Sequence, residues 1–89
     1  MNNKRRKALS KIATEIENMK SRLEDLKSEL EDLCQEEDDS YNNLPDSLQE
    51  SERGEEMFEN VDKMTNAVDS IDNAIGELDD CIDSLNEIE

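Results

Sequence analysis

Between Leu9 and Leu33 the large apolar residues are Leu9, Ile12, Ile16, Met19, Leu23, Leu26, Leu30 and Leu33, with spacings alternating between three and four. That is the a/d rhythm of a coiled coil, with Leu9, Ile16, Leu23 and Leu30 at a and Ile12, Met19, Leu26 and Leu33 at d. A helix with so narrow an apolar stripe needs a partner helix along its length. A second stripe supplies one: Met57, Val61, Met64, Val68, Ile71, Ile75, Leu78, Ile82 and Leu85 repeat the same rhythm. Here Val61, Val68, Ile75 and Ile82 take a, and Met57, Met64, Ile71, Leu78 and Leu85 take d. A further row at g, Ala67, Ala74, Cys81 and Ile88, makes the second stripe wider than the first.

Between the stripes, residues 40–47 (SYNNLPDS) are the only stretch with turn composition. Pro45 forbids a continuous helix, and the residue before it, Leu44, is biased towards an extended conformation. Upstream, the rhythm fails after Leu33, and Glu36, Glu37, Asp38 and Asp39 load a helix C-terminus whose dipole disfavours acids. Downstream, Ser47 with Glu50 fits a capping box, and Ser51 is a second candidate N-cap. These signals predict one all-α domain over residues 1–89. Helix 1 covers about 4–40, the turn about 41–50 and helix 2 about 51–88, folded as an antiparallel helical hairpin. With residue 41 level with residue 51, Leu30 would meet Val61. Tyr41, Leu44, Leu48 and Phe58 would plug the turn end.

A two-helix hairpin leaves one side of each seam wet. The extra row on helix 2 therefore predicts a homodimeric, coiled-coil-like four-helix bundle or docking onto another protein, with Phe58, Ala67, Ala74, Cys81 and Ile88 as the oligomerisation residues. Cys34 and Cys81 lie too far apart along such a hairpin for a disulfide, and suit a reducing compartment.

Charge sets the second constraint. The chain has 26 acids against 10 bases and a net charge of −16, and all the acids lie beyond residue 11. The start carries Lys4, Arg5, Arg6, Lys7 and Lys11, which the hairpin would bring to the acidic C-terminal end of helix 2 as a cap. Direct nucleic-acid binding is opposed by the charge, because phosphate contacts need Lys and Arg. Histidine is absent, so the commonest neutral-pH acid–base group is missing and an enzyme is not expected. No zinc set, P-loop or calcium-loop order is present, so no cofactor, metal site or catalytic residue is assigned. No apolar run reaches the length of a membrane span, and the basic start lacks the apolar core of a signal peptide. The expected location is the cytoplasm.

At the turn end, Glu36, Glu37, Asp38, Asp39, Glu52, Glu55, Glu56 and Glu59 form the candidate protein-binding surface. A rod with such dense carboxylates could enter a basic groove built for DNA or RNA, so the expected partner is a basic, nucleic-acid-binding protein. The segment 43–55 (NLPDSLQESERGE), with RRKAL at 5–9 upstream, resembles small acidic two-helix proteins encoded by phages and prophages of Gram-positive bacteria. The resemblance implies phage origin and a protein that binds and blocks a host or defence protein, in the host cytoplasm. The other class of function is structural: a coiled-coil protein whose seam builds a homo-oligomer.

Overall fold

The computed structural model describes all 89 residues and contains three helices and no strand. α1 spans Asn3–Asn42, α2 Asp46–Gln49 and α3 Glu52–Asn86. α1 opens on an N-cap, the Asn2 side chain accepting from the Arg5 amide at 2.9 Å. Its acidic last turns do not stop it at residue 40. Gln35 donates to Asp39 at 2.9 Å one turn on, and the Gln49 side-chain amide donates to the carbonyls of Tyr41 (3.2 Å) and Leu44 (3.3 Å). The Gln49 bonds tie the end of α1 to the elbow, adding to the Leu44 amide that already donates to the Tyr41 carbonyl at 3.1 Å.

The elbow is more structured than a turn. Pro45 precedes a single helical turn, α2, in which Ser47 is an interior residue. Of the two candidate caps, Ser51 is the one used: its hydroxyl oxygen accepts from the Gly54 amide at 3.3 Å. Gly54 is buried against α2. A Cβ there would lie 2.3 Å from the Gln49 carbonyl oxygen and 2.5 Å from that of Leu48. A bare backbone at position 54 is what lets α3 start so close to the elbow.

α1 and α3 pack against each other along a rod 69 Å long and 14 Å across in its Cα positions. The face α1 uses differs from expectation. Leu9, Ile16, Leu23 and Leu30 at a face the partner, but the second inward row is e: buried Ala13 and half-buried Lys20, Lys27 and Cys34. The d row is turned out, with Ile12 48%, Met19 61% and Leu33 55% exposed. At 100° per residue this rolls the helix by roughly 50° from an a/d contact. Lys20 and Lys27 accompany the roll, lying along the seam and ending on Asp79 (2.5 Å) and Asp72 (2.7 Å) of α3. Their apolar stems cover the seam while the ammonium heads stay in water. α3 keeps its expected a and d rows inward, with Ile82 buried.

The register is also displaced. Tyr41 packs against Phe58 with the rings tilted by 56° and their centroids 5.9 Å apart, and Cys34 Sγ lies 3.6 Å from the Thr65 hydroxyl. Residue 41 is therefore level with residue 58 rather than 51, because α2 and its flanks take up chain that a simple turn would leave to α3. Only Ala13, Gly54 and Ile82 of 89 residues are buried, so the single hairpin has almost no enclosed core.

Candidate functional site

The elbow gathers two runs of acids that lie apart in sequence. Glu36–Asp39 lie in the last turns of α1, and Glu52, Glu55, Glu56 and Glu59 in the first turns of α3; the tilted Tyr41–Phe58 pair joins the two helices at that level. Most of these carboxylates face solvent, while Glu37 and Asp38 are half-buried at the seam. None lies within 4.0 Å of a cationic group, and Arg53 is the only base between residues 28 and 62. A shallow cleft at this end is lined by Tyr41, Gln49, Glu50, Glu55, Phe58 and Glu59. Phe58 is 61% exposed and Leu48 49% exposed. The expected apolar plug is thus half-formed: Tyr41 and Leu44 are partly covered, whereas Leu48 and Phe58 stand outward among carboxylates.

The five residues expected at an oligomer contact do not share one edge. Thr65, Asp72 and Asp79 at e of α3 meet Cys34, Lys27 and Lys20 at e of α1, which defines one long edge of the hairpin. Phe58 is at e as well, and lies on that ion-paired edge. Ala67, Ala74, Cys81 and Ile88 at g lie on the other. Ala67, Cys81 and Ile88 are exposed and Ala74 is half-buried. The outward d row of α1 lies on this second edge too. Sequence reading missed its exposure because a and d together look like one seam; only the placement of e shows that d is left over.

At the far end, the expected cap on α3 does not form, and one basic residue reaches the chain beyond the helix, which ends at Asn86. The Arg6 guanidinium donates to the Glu89 carbonyl at 2.9 Å and to the Met1 carbonyl at 3.1 Å. Lys4, Arg5, Lys7 and Lys11 form no ion pair. Both cysteines are free, Cys34 half-buried and Cys81 exposed.

Two groups depart from their ordinary acidity. Hydrogen bonding to Asp79 raises Lys20 above its usual 10.5, and hydrogen bonding to Asp72 does the same for Lys27. Both are structural ion pairs on a solvated edge, and neither sits in the acidic cleft. No three His, Cys, Asp or Glu side chains are grouped to hold a metal ion, and no helix is long and apolar enough to cross a membrane. The chain is thus an acidic, two-helix hairpin with a charged elbow and an uncovered apolar edge. No family model, curated protein or solved structure matches it.

Proposed function

We propose that this chain is a non-enzymatic, acidic protein-binding module that engages a basic protein through its elbow. Competing for a surface that otherwise holds nucleic acid, it inhibits that protein. One observation carries the reading: Glu50, Glu55 and Glu59 line a cleft with exposed Phe58 at the elbow, the end where unpaired acids of both long helices lie. A basic groove gains long-range attraction from the acids, and a neighbouring apolar group gains contact with the ring. The resemblance to small acidic phage-encoded proteins supports a host or defence protein as the target and the cytoplasm as the place of action.

The test is capture from host lysate at low and high salt, beside a variant with Glu52, Glu55, Glu56 and Glu59 changed to Lys. Circular dichroism would check that the variant remains helical. A partner released by salt, lost with the variant and blocked from binding nucleic acid when the chain is added is the expected result. A partner retained equally by the variant, or one whose nucleic-acid binding is untouched, defeats the reading. A second reading, an assembly component, is favoured by a separate observation: the outward row Ile12, Met19, Leu26 and Leu33.

A further inference from the structure

The uncovered edge of the hairpin has a definite geometry. α1 faces its partner between a and e, and its d row lies about 80° around the helix from that direction; α3 faces its partner between a and d, and its g row lies about 90° around. Both rows fall on the same side, opposite the edge marked by Lys20–Asp79 and Lys27–Asp72. A quarter turn between the two contacts of every helix is what a square four-helix bundle requires.

The two rows are also centred at one height. The d row of α1, from Ile12 to Leu33, has its midpoint between Met19 and Leu26; the g row of α3, from Ala67 to Ile88, has its midpoint between Ala74 and Cys81. The Lys20–Asp79 and Lys27–Asp72 pairs put those midpoints within about half a turn of each other along the rod. Coinciding centres allow a single two-fold axis to map each row onto itself.

We infer that a second copy of this chain covers this edge, related by a two-fold axis that crosses the rod between Ala74 and Cys81, so that the elbows point to opposite ends. α1 then lies antiparallel on α1 of the second copy, and α3 on α3. Leu33 meets Ile12, Leu26 meets Met19, Ala67 meets Ile88 and Ala74 meets Cys81, where small side chains permit close approach. The inference rests on the self-association reading and gives it a geometry.

Charge selects this arrangement over the one with both elbows at the same end. Lys4, Arg5 and Lys11, unpaired within the hairpin, come to the level of Asp39, Glu36 and Asp32 of the second copy. Near the axis Arg22 comes beside Asp25 of the second copy, and the converse. With both elbows together, α1 would instead lie beside α3 of the second copy and the two acidic elbows would be stacked. The opposing terms are Glu15 against Glu29 of the second copy, Arg22 against its own symmetry mate, and the acidic α3 against itself. The area is sufficient: a face 69 Å by 14 Å in Cα extent offers roughly 900–1,000 Å², against about 800 Å² from each partner in a stable interface. Phe58 and the cleft beside it lie on the opposite edge and stay open.

Sedimentation equilibrium should give twice the chain mass. Met19→Glu with Leu26→Glu should weaken association at least about 100-fold, while Glu15→Lys should tighten it several-fold by pairing with Glu29. Cross-linking then fixes the geometry. With Cys34 replaced by Ser and Cys81 kept, Ala74→Cys should oxidise to a covalent dimer, and Thr65→Cys on the opposite edge should not. With Cys81 also replaced by Ser, Ala67→Cys together with Ile88→Cys should give the same covalent dimer. A monomer at every concentration overturns self-association altogether. A dimer that resists the Met19/Leu26 change, or that cross-links through Thr65→Cys and not Ala74→Cys, overturns the geometry and leaves self-association standing. Should the Glu substitutions unfold the chain, the cysteine variants decide.

Discussion

The two glycines play opposite parts. At Gly54 a methyl group would press on the carbonyls of Gln49 and Leu48, which are backbone and cannot swing aside. At Gly76 an added Cβ meets nothing within 4 Å, and the residue sits in the interior of α3. Gly54→Ala is expected to lower stability by about 2–4 kcal/mol through the elbow, and Gly76→Ala to raise it by about 0.5–1 kcal/mol through backbone entropy. Urea melts followed at 222 nm, at one protein concentration, read both. The cost of Gly76 on an exposed helix face is visible in the sequence. The role of Gly54 is not: a glycine in a first helical turn reads as an ordinary propensity defect until α2 is seen beside it. Gln49, which closes the end of α1, was hidden in the same way, since its partners are carbonyls five and eight residues back.

At the scale of helices, apolar spacing specified both long elements to within a few residues and their antiparallel pairing. It did not specify how α1 is rolled. Rows a, d and e are adjacent, and the presence of Lys20 and Lys27 in e marks that row as a solvated flank by composition alone. Only α3, with Asp72 and Asp79 at matching heights, makes lysine a seam residue. These pairs predict a pH response with a definite sign. Their folded-state pKa values are raised, so their contribution is complete below about 10.4, the value in an unfolded chain. It is lost only as pH rises through the higher folded values. Wild type and Lys20→Met/Lys27→Met should therefore differ in melting temperature by a constant amount from pH 7 to about 10. The difference should shrink above that. A difference that already fades between pH 7 and 9 would mean that other groups carry it.

For the whole molecule, charge opposes folding and apolar burial is thin. A net charge of −16 over 89 residues, with three buried residues in the single hairpin, leaves like-charge repulsion as a major destabilising influence. Raising ionic strength from about 0.01 to 0.5 M shortens the screening length from about 30 Å to a few ångströms. The melting temperature should rise over that range, even though the four ion pairs are screened too, because acids outnumber bases 26 to 10. A fall would show that those pairs outweigh the repulsion. The elbow surface was legible in sequence because its acids are consecutive or nearly so. The uncovered edge was not, because it depends on which of two neighbouring rows each helix gives to its own partner.

One guanidinium, that of Arg6, holds the carbonyls of Met1 and Glu89 together. Residues 1 and 89 thus lie at a common point, with the elbow at the remote tip of the rod. A short linker could join residue 89 to residue 1 and close the backbone into a ring. Anchoring either extremity to a surface would present the carboxylate-rich tip of that copy outward.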